Sequence, residues 1–522
     1  MNQITIDHAT ATLRLQPVLS FYQDSLAPLA RIPTEILILI FEFCVQSDTS
    51  GHSLSRYAMP FVLSQVCRQW RMIATSAPSL WQNIQVLPEL LVPWQRFPPS
   101  NRLRLWLDRS YPLPITCLAL LDSPELAVHN AELLDVLMAH SARWFTMDFT
   151  FGEQSDLLYQ LCSQCSILPQ LSCFRVEVKI EDGGIDATVP TSWIAPNLKD
   201  AVLLVQTGSM DVRNHLSLPW SQLEDFEGIF CTPKPFLDIS PNFTHLRRCC
   251  LQISQDFDIP SLSYSTLPSL RHFEISGPYL SIVLVLNRDR LSLPALQILD
   301  VDPEEQIGPV ADALFSLILR LQTRSSFRLH SFSTPFSLFS STNSLTMAKS
   351  FASIQELRIL LSHEEETGTS IYNLAHAEMF PNLRALHLLF REMSDEDYSL
   401  FARMVDVIDF RRKPRKHYPD VVPLEEVSVD VIRDSDGPQL HIPTHTIAFR
   451  TLLKMQGEGL VLLGKVVRGE WYSYFGDTRW SEEDLEQGAQ WWARFGYNAW
   501  LFDPEIAAYM EVWLLLYQLA MY

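Results

Sequence analysis

The sequence predicts an α/β chain in which an N-terminal helical module leads into a long series of parallel-strand units. Three observations carry this reading. Between Leu26 and Trp81, apolar residues fall at helical spacing in two blocks separated by a polar loop. Downstream, an apolar pattern of three steps of three, three and two residues recurs, its final step of two reading as strand. Proline stands two residues before the second apolar position at Pro169, Pro196, Pro268, Pro294 and Pro381, where a helix or turn ends before the strand begins.

The bulk composition limits the partners. With 522 residues, 47% hydrophobic and 19% charged, the chain has apolar material for an extended core. Its 60 acidic against 40 basic residues leave a net charge of −20, which repels phosphate backbones and anionic headgroups. Neither nucleic acid nor membrane is expected as a partner. Met1 to Leu19 has no basic head followed by an apolar stretch, and the longest apolar runs fall well short of the roughly 20 residues that span a bilayer. Nine cysteines scattered over the chain fit reduced thiols, so a cytoplasmic and/or nuclear location is expected.

The first helix is expected to start at Ile32-Pro33-Thr34-Glu35, with Pro33 fixing the backbone at the first turn and Glu35 near the positive helix end. From Ile36 to Val45 the only charged residue is Glu42, so the apolar positions cover more than the stripe of about 100° that a surface helix needs. One face can pack on its own domain, and the other calls for a partner. The loop from Gln46 to Tyr57 is polar. Phe61, Val62, Leu63, Val66, Cys67, Trp70 and Ile73 then resume helical spacing, and Ser76-Ala77-Pro78-Ser79 breaks it before Leu80-Trp81.

The ordered string Ile32-Pro33-Thr34-Glu35-Ile36 to Ile40-Phe41, then Val66-Cys67-Arg68-Gln69-Trp70-Arg71 to Ala74, then Pro78-Ser79-Leu80-Trp81 resembles an F-box. In that family the motif is a three-helix domain that binds the Skp-type adaptor of a cullin-RING ubiquitin ligase. The resemblance implies that Ile32, Pro33, Ile36, Ile40, Val66 and Trp70 lie at or near the Skp contact. The loop from Gln46 to Met59 is longer than the family pattern, and Ile32 stands where leucine is usual.

In the downstream pattern, the second position is held by Trp144, Leu171, Leu198, Leu223, Leu246, Leu270 and Leu296, at gaps of 27, 27, 25, 23, 24 and 26 residues. The next, Ile354, falls 58 residues on, room for two repeats with a degenerate copy around Phe327 and Leu329; Leu383 and Leu424 follow at gaps of 29 and 41. These units resemble irregular leucine-rich repeats, which implies an α/β solenoid with parallel strands. The Asn or Cys that usually follows each strand is mostly absent. Arg104 to Ser110, Pro112-Leu113-Pro114 and His140 to Trp144 resemble the linker and first repeat of the expanded F-box families of mushroom-forming fungi.

Chemistry-bearing motifs point away from catalysis. Gly459 to Gly464-Lys465 is followed by Val466 where a phosphate-binding loop needs Ser or Thr, and its four intervening apolar residues read as strand. Cys162-Ser-Gln-Cys165 has no second pair, and His441 to His445 contains Pro443, which precludes a helical metal face. The basic run Arg411 to Lys416 reads first as a solvated loop between repeats, with a nuclear import signal as the open alternative. No catalytic residue, metal or cofactor is expected.

The expected organisation is a lead over 1–25, the F-box over 26–81, the leucine-rich-repeat-like solenoid over 82–460 and an aromatic-rich cap over 461–522, with Trp471, Trp480, Trp491, Trp492, Trp500 and Trp513. On this reading the chain is a non-enzymatic substrate-recognition adaptor of a Skp-cullin-F-box ubiquitin ligase, holding a protein substrate of unknown identity on its repeats. The alternative is a repeat scaffold for protein interaction without ligase function.

Overall fold

The computed structural model describes residues 32–47, 52–55, 57–87, 99–122, 127–152, 155–178, 193–205, 216, 218–255, 265–286, 291–303, 311–336, 338, 350–361, 374, 379–391, 397–413, 422–433 and 447–468. The lead over 1–25, the histidines at 441 and 445 and the tryptophans from Trp471 onward lie outside the described residues. The chain divides into two units, one ending at Met147 and the other beginning at Asp148.

In the first unit, α1 (Thr34–Gln46), α2 (Met59–Val66) and α3 (Arg68–Ser76) are followed by a 3-10 turn, Pro78–Trp81, and by β1 (Asn83–Val86). Pro33 is the cap residue of α1 and not part of its first turn: it is extended, and its carbonyl accepts from the amides of Ile36 and Leu37, both at 3.1 Å. The second apolar block forms two helices. Cys67 is extended between them, and its Sγ accepts from the Trp70 amide at 3.4 Å, capping α3. The helical spacing across Val66 and Trp70 therefore conceals a one-residue break.

Then come α4 (Pro99–Arg109), β2 (Ile115–Leu121) and α5 (Ala127–Met138), with β1 and β2 parallel and Ile84 opposite Cys117. Phe61, Trp81 and Trp106 meet edge to face with centroids 4.9 to 5.6 Å apart, fixing α4 to the helical module. The guanidinium of Arg143 is buried and donates to the carbonyls of Leu107 and Leu113 and to Ser110 Oγ, serving the otherwise orphaned end of α4.

The units divide within β3 (Trp144–Phe151). Beyond it, α6 (Ser155–Gln164) leads to β4 (Cys173–Val178), β5 (Asp200–Val205) and β6 (Asp225–Phe230). There follow α7 (Lys234–Ile239), β7 (Arg248–Ile253), β8 (His272–Gly277), α8 (Tyr279–Leu286), β9 (Ile298–Pro303), α9 (Ala311–Ser325) and β10 (Ser331–Pro335). The described part ends with β11 (Glu356–Leu361), β12 (Ala385–Arg391), α10 (Asp397–Arg412), β13 (Glu426–Arg433), α11 (Ile447–Gly457) and β14 (Val461–Arg468). From β4 to β14 each strand pairs in parallel with the next in chain order.

The register explains the recurring pattern. Phe174, Ala201, Phe226, Cys249, Phe273, Leu299, Phe332, Leu357, Leu386, Val427 and Leu462 stand directly opposite one another across the strands, and all are buried. Each strand thus turns alternate residues onto one apolar row. The long gap before Ile354 contains β10, with Phe327 and Leu329 buried just ahead of it.

Two ladders tie successive units together. Just before several strands, one backbone amide donates to the preceding unit, as in Glu224 to Lys199, Arg271 to Arg247, Gln297 to Arg271 and Arg384 to Gln355, each at 2.8 Å. A polar side chain immediately before the second pattern position does the same. Asn197 donates to the Pro169 carbonyl at 2.7 Å, Gln222 to that of Leu198 at 2.9 Å, Ser269 to Thr244 at 3.1 Å, Ser353 to Leu329 at 2.6 Å and Asn382 to Ala352 at 2.8 Å. Each such bond gives a carbonyl of the preceding unit a side-chain partner in the next.

The basic run departs from the expected loop. Arg411 and Arg412 end α10, and the buried Arg411 guanidinium donates to the carbonyls of Leu374, Met379 and Phe380 at 2.7 to 2.9 Å. A charge read as solvated is instead held by a cluster of backbone acceptors, the one environment that offsets its desolvation. Arg415 and Lys416 lie outside the described residues.

Candidate docking site

α1 is apolar on two sides, and the structure assigns them opposite fates. Leu37, Phe41 and Cys44 are buried, at a spacing of four and three. Ile36, Leu39 and Phe43, at a spacing of three and four, remain 46%, 59% and 41% exposed, with the half-buried Ile40 between them. Both sets follow the helical repeat, so each forms a stripe. The inner stripe meets α3, where Phe41 and Trp70 lie 4.8 Å apart between centroids. The outer one presents three large apolar side chains to solvent.

Polar contacts tie the elements of the module together. Ser79 Oγ donates to Glu42 Oε1 at 2.5 Å, linking α1 to the turn before β1, and Trp81 Nε1 donates to the Ala74 carbonyl at 2.7 Å. Arg71 Nε donates to the Ser64 carbonyl at 2.9 Å and closes the angle between α2 and α3. Glu42, the lone charge between Ile36 and Val45, therefore has an intramodular task, and the outer stripe itself carries no charge. Such a surface can bury area against a complementary apolar groove but has no groups for chemistry.

Of the residues expected at the contact, Pro33 and Ile36 are exposed, Val66 is 46% exposed, and Ile32 and Ile40 are half-buried. Trp70 is 9% exposed and packs on Phe41, so it shapes the module from inside. Sequence reading passed over Leu39, Phe43 and Met72, the last 64% exposed on α3. The signal for the first two was present in their spacing from Ile36. It was masked because the intervening positions are apolar as well.

Elsewhere, Cys162 and Cys165 are buried, and burial pushes the Cys162 thiol up to about 12. Gly464 and Lys465 lie inside β14, paired with Val429 and Asp430. Among the described residues no helix is long and apolar enough to cross a membrane.

Residues 29–86 match the F-box-like family model, a span that takes in α1, α2, α3, the 3-10 turn and β1. F-box domains bind Skp-type adaptors within cullin-RING ubiquitin ligases, and F-box proteins are typically adaptors without catalytic activity. The chain matches no curated protein sequence.

Proposed function

We propose, from the F-box-like domain at residues 29–86, that this chain is a substrate-recognition adaptor of a Skp-cullin-F-box ubiquitin ligase. The observation that carries this reading is the division of α1 into a buried stripe, Leu37, Phe41 and Cys44, and an exposed one, Ile36, Leu39 and Phe43. The exposed stripe, with Pro33, Ile32, Ile40 and Val66, is the surface offered to the Skp-type adaptor. Trp70 contributes by holding α1 in place.

The parallel strands from β4 onward support a leucine-rich-repeat-like solenoid as the substrate-binding part. Their apolar row and their two hydrogen-bond ladders give each unit the same relation to the next, which is how repeat arrays are stabilised. On the opposite side, most of the alternate strand residues are half-buried or exposed and vary in chemistry from strand to strand, as a recognition surface requires. The chain then supplies proximity and orientation, while ubiquitin transfer belongs to the ligase partners.

The test is capture of a purified Skp-type adaptor by the full-length chain and by the double variant Ile36→Glu, Leu39→Glu. An interface anchor is worth roughly 2 to 4 kcal/mol, so the wild type should bind and the variant should lose binding at least about a hundredfold with its circular dichroism and melting unchanged. A folded variant that binds as tightly as the wild type would remove the outer stripe from the interface. A wild-type chain that never captures the adaptor would leave the interaction-scaffold reading.

A further inference from the structure

We propose that His272, Glu274 and Asp300 form a binding site for a divalent transition-metal ion, with zinc the ion favoured by the donor set. The site lies on the half-buried side of the sheet in the second unit, and the proposal stands independently of Skp binding.

Strand geometry brings the three together. His272 and Glu274 are two residues apart on β8 and so point to one side; Asp300 lies directly opposite Glu274 on β9. One ligand atom from each, an imidazole nitrogen and two carboxylate oxygens, lie within 4.8 Å of one another. His272 Nε2 is 2.9 Å from Asp300 Oδ2. Each residue sits within a paired strand, so the backbone positions of the donors are fixed before any ion arrives, which lowers the ordering cost of binding.

A plain histidine–aspartate pair leaves the group unsatisfied. Asp300 Oδ1 is shielded from solvent and has no hydrogen-bond partner. The Glu274 carboxyl stands directly opposite Asp300 on one side and Cys250 on the other. Two carboxylates held this close repel one another. A dication accepting the imidazole nitrogen and one oxygen from each carboxylate would neutralise both. Across the row, Cys250 on β7 faces Glu274, with Glu227 beyond it, Arg248 opposite His272 and Asp302 next along β9. Arg248 is exposed, and the two further carboxylates add to the negative potential at the site. The imidazole disfavours magnesium and calcium, while one nitrogen and two oxygens suit zinc. Three protein ligands leave at least one coordination position for water or for a side chain of a bound protein.

The experiment uses the full-length chain, stripped with a chelator and titrated with zinc against a chromophoric competitor. One equivalent should bind saturably, and His272→Ala and Asp300→Asn should each weaken it by at least roughly tenfold. Cys250→Ser should leave it unchanged. Asp300→Asn keeps the shape of the side chain, so it tests the ligand even where His272→Ala perturbs the strand. Cobalt substitution gives a second readout: visible ligand-field bands without a thiolate charge-transfer band. No saturable binding at micromolar zinc would overturn the proposal. So would binding that survives both variants, or a cobalt spectrum with a thiolate band, which would place the metal on cysteines.

Discussion

Phe41 of α1 and Trp70 of α3 meet with ring centroids 4.8 Å apart and planes tilted by 59°. Both are buried, and their contact sets the angle at which α1 turns its other stripe outward. Removing the indole leaves a cavity under α1. Trp70→Ala should therefore cost about 3 to 5 kcal/mol of module stability, read as a lowered first melting transition. Adaptor capture should fall in parallel with the folded fraction. A variant that melts normally but fails to capture would make Trp70 a surface anchor instead.

Arg143 carries a comparable structural load at the end of α4. Its fork serves the Leu107 and Leu113 carbonyls and Ser110 Oγ at 2.7 to 3.1 Å. Arg143→Met keeps the aliphatic bulk but orphans these buried acceptors, so it should destabilise by about 2 kcal/mol or more. Arg143→Lys should recover only part of the loss, because one ammonium cannot reproduce the planar fork. Urea unfolding of the three proteins separates these outcomes.

Asp148 gives the second unit a pH dependence. Burial raises its carboxyl from the ordinary 3.8 to about 6, opposed by Arg175 at 3.8 Å and reinforced by Glu177. The folded state then holds the proton more tightly than the unfolded chain. The stabilisation from this group is present at low pH and is lost as pH rises from about 4 through 6, where νN exceeds νU. The full shift corresponds to about 3 kcal/mol, trimmed by the side chain's 30% exposure. Asp148→Asn should abolish this contribution, so its stability relative to wild type should rise across that window and be greatest above pH 7. A difference that is flat with pH would contradict the assignment.

The repeating strands were legible because their burial demands it. A residue such as Phe174 or Phe273 sits in the apolar row, and a polar side chain there would be desolvated without a partner, so the pattern survives in most of the repeats. The ladder residues were not legible, since Asn197, Gln222 and Ser269 occupy positions where any polar residue would look like ordinary surface. Cys67 hid its break because one extended residue does not disturb helical apolar spacing enough to show. The outer stripe of α1 lost contrast for the opposite reason: Ile36, Leu39 and Phe43 are flanked by residues just as apolar. The His272, Glu274 and Asp300 group depends on strand register, which no spacing along the chain reveals.

Gly277 ends β8 at a place where the chain passes close to β7. Its φ of +130° lies where side chains are rarely tolerated, and a Cβ there would stand 2.1 Å from the Ile253 carbonyl oxygen. That oxygen belongs to backbone, so relief requires the strands themselves to move. Gly277→Ala should cost about 2 to 4 kcal/mol through backbone strain and clash together. Gly457, the last residue of α11, is the internal control: an added Cβ meets nothing within 4 Å. Gly457→Ala should change stability by no more than about 0.5 kcal/mol, or raise it slightly through lower chain entropy in the unfolded state. Thermal melting of both variants decides the matter. If Gly277→Ala melts with the wild type, the close approach of β8 to Ile253 does not hold in solution.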